Sequence, residues 1–395
     1  MRVCGIVAEY DPFHLGHAYH LNSAREQSQA DFVVCVMGCA FSQRGTPMLL
    51  GTHARARMAV LAGADVVLGM PVSFSCATAD RFAMGGVGIL HALGVVTHLS
   101  FGSENPDIAQ LVCLANLLEK PDEDMRRALR NGLAQGKSFA RARGESLNTQ
   151  APGTQTLQHQ PNATLAISYL RALQRLGSDI QPVPIARKDA YHAQALQGLA
   201  SASAVRAAIL RGDWHGVARS VPASSYDIIA QEASQGTLHL PHALDTLLLG
   251  CILAQDPHQA ADIPEMSEGL HLRIARAARG CTSREQLLDS VKTRRYPRTR
   301  INRGLTHWML GTRASMLPER PSHAYLLAAR ERAKPMLTAI SKHGFQLVSR
   351  PAREKDPDVM ADMRAEELWS LGAQLPVAQA YRHHFTLLQD TGELP

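Results

Sequence analysis

Three histidines stand close together near the start of the chain, where an apolar run gives way to a helical pattern. Leu15 and Gly16 separate His14 from His17, and His20 follows three residues later. At a helix N-terminus, unpaired backbone N–H groups and the helix dipole favour an anion, and imidazoles can add hydrogen bonds to it. Gly16 would let the backbone approach closely because it has no Cβ. The spacing predicts that His14 and His17 bind a phosphate chain; the alternative is a surface turn with solvated histidines.

A second group of residues whose side chains can bind phosphate follows much later in the chain. Ser201, Ser203 and Arg206 lie in a segment with the pattern of a capped short helix. If the chain returns to the site there, two hydroxyls and a guanidinium reach the same phosphates. The alternative is an ordinary helix cap.

Alternating strand-like and helical segments must position these residues. Apolar runs at residues 3–8, 31–37, 64–70 and 95–101 alternate with helical patterns at 52–63 and 79–93. Such alternation predicts βαβ units and an α/β fold with a Rossmann-like parallel sheet. Ligands of such sheets lie beyond the carboxyl ends of the strands. The His14 turn and the turn at residues 102–105 both fall there, although the second is equally typical of a helix cap.

The remaining chain is predicted to be mainly helical. The expected elements are helical residues 107–144, a loop at 146–160, a helix from 161 to 176, a last strand of the sheet at 181–185, helices at 324–332, 336–343 and 365–371, and a strand at 345–348. The pattern changes near residue 213. We therefore predict a first domain of residues 1–212 and a second domain of residues 213–395, mostly helical with a small α/β C-terminal part.

Composition bounds the class of protein. A chain of 395 residues with 45% apolar residues suits two globular domains, and no apolar stretch approaches the 18 residues typical of a membrane span. Seven scattered cysteines favour reduced thiols, and Cys35 and Cys39 lack a second pair for zinc. We therefore expect a cytoplasmic protein with no membrane partner and no dedicated metal site.

A basic segment lies in the second predicted domain. Residues 292–303, KTRRYPRTRINR, hold Lys292, Arg294, Arg295, Tyr296, Arg298, Arg300 and Arg303, and no acid. Cations with an interleaved aromatic ring suit phosphate contacts and base stacking on RNA. The alternative is a solvated surface.

Many further motifs, in order, match one family. His-x-Gly-His is the phosphate motif of the adenylyl-transferring nucleotidyltransferases, and most of the chain, from Arg2 to about Leu310 with a weaker match near residues 364–372, resembles the bacterial tRNA(Met) cytidine acetate ligases. The resembling stretches are GIVAEYDPFHLGHAYHL, VMGCAFSQRGTPM, ARARMAVLAGADVVLGMP, ADRFAMGGVGIL, FGSENPDI, QPNATLAISYL, SASAVR and KTRRYPRTRINRGLTHWML.

The resemblance implies a two-step reaction. ATP and acetate form acetyl-adenylate and pyrophosphate, and the acetyl group then passes to N4 of the wobble cytidine of elongator tRNA(Met). It also implies ATP contacts at Val7, Ala8, Glu9, Tyr10, Asp11, Pro12, Phe13, His14, Leu15, Gly16, His17, Ala18, Tyr19, His20, Gly102, Asn162 and Arg187. ATP is then a substrate, Mg²⁺ is expected with it, and no tightly bound cofactor is expected. The second domain, with its basic segment, would hold the tRNA.

Some positions depart from the family pattern. They are Asp11 for Asn, Gly38-Cys39-Ala40 for a Ser-Gly-(Asn or His) run, Thr52 for Lys, Gly69-Met70 for Glu-Leu, and Ala163 and Ala166 for Asn and Gly. These departures concern the acyl donor and RNA handling, whereas the nucleotide motif is intact. Two other functions stay open: a nucleotidyltransferase that adenylates a small phosphorylated metabolite, and an RNA-binding protein with a vestigial nucleotide site. The sequence leaves the oligomeric state undetermined.

Overall fold

One mixed sheet runs through the molecule. The computed structural model describes residues 1–137, 139–151, 160–186, 201–381 and 385–389. The strands found there are β1 (Val3–Ala8), β2 (Phe32–Gly38), β3 (Val66–Met70), β4 (His98–Ser103), β5 (Gln181–Ala186), β6 (His323–Arg330), β7 (Gln346–Val348) and β8 (Thr386–Leu388). Their order is β5-β4-β1-β2-β3-β6-β7, with β8 also paired to β6.

The five strands from β5 to β3 are parallel, as the sequence predicted. Their apolar runs are covered on both faces, which is why β2 and β3 read as continuous Val-rich segments. The chain moves from β1 through β2 to β3 on one side, then crosses to β4 and β5 on the other. The order in which the chain adds strands therefore reverses between β1 and β4. A crevice for a ligand is expected at the carboxyl ends of these two strands.

Helices cover both faces of the sheet and extend beyond it. In the first half they are α1 (Leu15–Ser28), α2 (Thr52–Leu61), α3 (Val72–Ser75), α4 (Ala79–Ala92), α5 (Ile108–Glu119), α6 (Glu123–Ala134), α7 (Phe139–Gln150) and α8 (Pro161–Leu176). In the second half they are α9 (Ala202–Arg211), α10 (Trp214–Ala218), α11 (Ala223–Ser234), α12 (Asp245–Ala254), α13 (Leu270–Ala278), α14 (Arg284–Val291), α15 (Arg298–Leu310), α16 (Lys334–Lys342) and α17 (Pro357–Gly372). No helix of the described residues is long and apolar enough to cross a membrane.

Three apolar clusters hold these layers together. One packs α4, α5 and α8 on one face of the sheet, and a second packs α1 and α2 on the other. The third is the core of helices α12 to α15, and Phe41 and Val72 from the strand ends insert into it. The helical region therefore sits on the edge of the sheet where β2 and β3 end.

The prediction of a helix at residues 324–332 is wrong. This segment is β6, which pairs antiparallel with β3 and parallel with β7 and β8. Its Ala and Leu residues have high helix propensity, but the exposed edge of β3 offers a ladder of hydrogen bonds and a buried position, and this tertiary context prevails. The sheet of the first predicted domain is thus continued by residues of the second; the boundary at residue 212 stays a prediction.

Two boundaries also differ from the prediction. Strand β4 runs to Ser103, so Gly102 lies inside a strand, and the turn starts after it. Residues 146–150, predicted as loop, belong to α7, while residues 152–159 of the same predicted loop lie outside the described residues. The other predicted strands and helices occur within a few residues of their expected positions, except that the helix predicted at 365–371 is the second half of the longer α17.

Candidate active site

His14 and His17 cap the N-terminus of α1 in a reciprocal arrangement. The Nδ1 atom of His14 accepts a hydrogen bond from the Gly16 N–H at 3.0 Å, and Nδ1 of His17 accepts one from the His14 N–H at 3.3 Å. The two rings are stacked with their centroids 3.8 Å apart. Because each Nδ1 accepts from a backbone N–H, the ring proton of each neutral imidazole must sit on Nε2. Both rings are thus set up as Nε2–H donors, the form that a phosphate oxygen requires.

The residues just before this pair are buried in the protein. The Tyr10 hydroxyl lies 3.4 Å from the Cys35 sulfur, and Phe13 is completely buried. The carboxylate of Asp11 accepts hydrogen bonds from the backbone N–H groups of Leu49 and Leu50 at 3.0 and 3.1 Å. These three side chains support the turn, so any contact they make with a nucleotide comes from their backbone.

The chain returns to the His14 turn through α9, as the phosphate prediction required. Arg206 donates to the Asp11 carbonyl at 2.6 Å and to the Ser203 hydroxyl at 3.1 Å. The Ser201 hydroxyl instead accepts from the Ala204 N–H and caps α9. Arg206 and Ser203 therefore lie beside the histidine turn, whereas Ser201 is engaged in its own helix.

Asn162 is bound by Glu104, which follows Gly102 by two residues and was not predicted as a site residue. The Glu104 carboxylate, just beyond β4, accepts from Nδ2 of Asn162 at 2.6 Å and from the Ala163 N–H at 3.0 Å. It thereby caps α8, where a carboxylate is favoured by the helix dipole. The glutamate that follows Gly102-Ser103 was the available signal. Arg187, the remaining predicted ATP contact, lies outside the described residues.

Glu9 extends from the end of β1 into the same region. One of its carboxyl oxygens accepts a hydrogen bond from the Gln43 N–H at 2.6 Å. Burial raises the pKa of Glu9, while the Gln43 N–H and the charge of Arg206 act in the opposite direction. Sequence reasoning had included Glu9 only within the range that wraps ATP.

The turn at residues 42–46, whose Gln43 N–H binds Glu9, is bound in turn by side chains of the helical region. The carbonyl of Gly45 accepts from Arg284 at 2.5 Å and from the Thr306 hydroxyl at 2.8 Å. Arg284 is buried and also bonds the side chain of Asn302 at 2.9 Å. Helices α14 and α15 are thus linked to Glu9 through residues 43–45.

Four of the positions that depart from the family pattern line a cavity of about 590 Å³, part of it open to solvent: Cys39, Ala40, Thr52 and Met70. The Thr52 hydroxyl donates to Glu366 of α17 at 2.7 Å. Burial raises the pKa of Glu366, and the hydrogen bond from Thr52 opposes this shift. The cavity lies where β2 and β3 end, and β1 separates these strands from β4.

The basic segment carries less unpaired positive charge than its sequence indicates. Acids from elsewhere in the helical region oppose four of its arginines: Glu268 pairs with Arg295 and Arg300, Glu265 with Arg303, and Glu285 and Asp289 with Arg298. The guanidinium of Arg300 also lies 5.4 Å from the centroid of the Tyr296 ring. Lys292 and Arg294 are exposed and have no ion pair with any residue the structure describes.

Several known proteins are similar to this chain over most of its length. Residues 1–384 match a family model described as HIGH Nucleotidyl Transferase. A tRNA(Met) cytidine acetate ligase of Syntrophomonas wolfei is 32% identical over 98% of this chain and 98% of its own length. Another, of Syntrophotalea carbinolica, is 37% identical over 87% of this chain and 83% of its own. The crystal structure of Thermotoga maritima TmcAL bound with alpha-thio ATP superposes with a TM-score of 0.89 at 27% identity, covering 98% of this chain and all of that one.

Proposed function

The chain belongs to the family of tRNA(Met) cytidine acetate ligases, with a nucleotidyltransferase fold of the HIGH type, and from this premise we propose the reaction it carries out. It is an ATP-dependent ligase. In our proposal it activates acetate as acetyl-adenylate and transfers the acetyl group to N4 of the wobble cytidine of elongator tRNA(Met). The observation that carries this proposal is the histidine turn at the end of β1, beside the point where the strand order reverses.

In the first step, an acetate oxygen attacks the α-phosphorus of ATP and pyrophosphate leaves. Negative charge grows on the departing pyrophosphate, so catalysis is mainly positioning and charge stabilisation. The Nε2–H groups of His14 and His17, the N-terminus of α1 and the guanidinium of Arg206 supply donors and positive charge for it. The contacts to Asp11 and Ser203 hold Arg206 in place for this role.

In the second step, the amine N4 of the cytidine attacks the acetyl carbon, AMP leaves, and the amine loses a proton. The tRNA is held by the helical region, whose helices α14 and α15 contact the turn next to Glu9. Lys292 and Arg294 are exposed cations of its basic segment with no ion pair among the described residues. This arrangement would bring an RNA on the basic segment toward the strand ends.

Magnesium enters this scheme with ATP as part of the substrate. The described residues contain no group of three or more His, Cys, Asp or Glu side chains that could hold a metal ion. The triphosphate itself would supply most ligands, as is usual for Mg²⁺ at nucleotide sites.

The direct test is to incubate the protein with ATP, labelled acetate and elongator tRNA(Met), and to use a transcript with uridine at the wobble position as the matched control. ATP-dependent label is expected on the first RNA and none on the second. Absence of label on both would overturn the proposal. AMP transfer to a small phosphorylated metabolite, or tRNA binding with no pyrophosphate released, would instead support the corresponding alternative function.

A further inference from the structure

The transfer step needs a group that takes the proton of the attacking amine. The exocyclic amine of cytosine is a weak nucleophile because its lone pair is delocalised into the ring. A carboxylate held next to the reacting nitrogen typically accelerates such a step by about 10²–10⁴-fold. The candidate must lie at the carboxyl ends of β1 and β4 and must face both the nucleotide and the helical region.

Glu9 meets these positional requirements. It follows β1 directly, and side chains alternate along a strand, so Glu9 shares with Val7 the face covered by α4 and α8. Its charge acts on the buried Tyr169 of α8 and on Cys76, the residue whose carbonyl contacts His307 of α15. Glu9 therefore lies between the sheet, α8 and the helical region.

The carboxyl group is held by one oxygen only. The Gln43 N–H bonds to Oε1, and no donor among the described residues is bonded to Oε2. Gln43 in turn donates from its side chain to the Ala77 carbonyl at 2.7 Å, just before α4. One oxygen thus fixes the direction of the carboxyl group and the other is left to meet a substrate.

We propose that Glu9 is the catalytic residue that accepts the N4 proton of the cytidine during acetyl transfer. The C–N bond forms, the bond from the acetyl carbon to the AMP oxygen breaks, AMP leaves with the electron pair, and Oε2 of Glu9 takes the proton. This inference rests on the proposed function. Burial raises the pKa of Glu9 and so makes its carboxylate a stronger base, while the charges of Arg206 and Arg55 favour the ionised form and the charge of Asp11 opposes it.

Separating the two half-reactions tests the proposal. Acetate-dependent exchange of labelled pyrophosphate into ATP reports adenylation, and label on the tRNA reports transfer. In Glu9→Gln we expect transfer to fall at least about 100-fold and exchange to fall only a few-fold, because the amide keeps the bond from Gln43. The matched control is Glu26→Gln, an exposed glutamate of α1, which should leave both rates at the wild-type level.

Equal loss of exchange and transfer in Glu9→Gln would overturn the proposal and assign Glu9 to ATP binding. Unchanged transfer would overturn it as well. If Glu9→Gln does not fold, Glu9→Asp keeps a base at shorter reach, and transfer must again fall more than exchange. Failure of the underlying function is recognisable separately, since the wild-type protein would then label no tRNA at all.

Discussion

The histidine pair caps α1, and we propose that it also has a chemical role at the phosphates of ATP. His17 caps the backbone of His14 through Nδ1, and the same bond leaves its proton on Nε2, where a phosphate can use it. For His17→Ala we expect adenylation to fall on the order of 100-fold or more, since one transition-state donor is lost. Pyrophosphate exchange measures this effect. Affinity for tRNA should stay near the wild-type value, and the exposed His258→Ala is the matched control.

Equal loss of exchange and of tRNA affinity in His17→Ala would contradict this separation of roles.

Arg55, unlike the histidines, is a residue whose importance is visible only in the structure. It is completely buried in α2 and donates to the carbonyl oxygens of Glu9, Gly38, Cys39 and Leu50 at 2.5–2.9 Å. Lysine has no planar fork and cannot reach all four acceptors. Arg55→Lys should therefore lower the free energy of unfolding by about 3 kcal/mol, measured by denaturant titration.

The control for this prediction lies two residues away in the same helix. Arg57 is exposed, so Arg57→Lys should change the free energy of unfolding by less than about 0.5 kcal/mol. A similar small effect in Arg55→Lys would show that the four carbonyl groups find other partners.

At the scale of elements, the turn at residues 42–46 connects the helical region to the end of β1. Gly45 has a φ of +79°, and a Cβ there would come within 2.4 Å of the Arg303 backbone nitrogen. Gly45→Ala should displace the turn and with it the Gln43 N–H that orients Glu9. Because misplacement by about 1 Å can cost about 100-fold in rate, we expect tRNA acetylation to fall by that order and pyrophosphate exchange to fall less.

Gly236→Ala is the matched control for Gly45→Ala. Gly236 also has a positive φ, +67°, but a Cβ there meets nothing within 4 Å. Only the conformational strain of about 1 kcal/mol should remain, seen as a small loss of thermal stability with acetylation intact. Comparable loss of acetylation in both variants would show that the position of the turn does not matter.

The elements also show what the sequence could and could not reveal. The parallel strands were predictable because burial on both faces gives continuous apolar runs, and the histidine motif carries its own turn and helix start. Strand β6 was not predictable, because its Ala and Leu residues favour a helix. It is a strand because it pairs with the edge of β3, some 255 residues earlier in the chain. The link from Arg284 to Gly45 and the cap of α8 by Glu104 likewise join residues distant in sequence, and no local pattern encodes them.

At the scale of the whole molecule, if the helical region holds the tRNA as we propose, the charge of that region should govern the binding. The chain carries a formal charge of +6, yet four arginines of the basic segment already neutralise acids of the same region. Counterions leave the RNA where protein cations neutralise its phosphates. The cations of the segment that have no acidic partner should therefore dominate the salt dependence of binding. Lys292 and Arg294 are these cations, since neither forms an ion pair within the described part of the chain.

Lys292→Ala and Arg294→Ala should therefore each reduce the slope of log K for tRNA against log salt concentration by about 1. Arg303 is mostly buried against Glu265, so Arg303→Ala should instead lower thermal stability and change the slope less. Binding titrations from low to moderate salt measure the slopes, and thermal unfolding measures the stability. The exposed Lys342→Ala of α16 is the control that should leave the slope unchanged.

If Lys342→Ala reduced the slope as much as Lys292→Ala, binding would depend on the net charge of the protein, and the basic segment would have no special role. If Arg303→Ala had the largest effect on the slope, the pair with Glu265 would have to open on binding, and the acids around the segment would then act as competitors of the RNA phosphates.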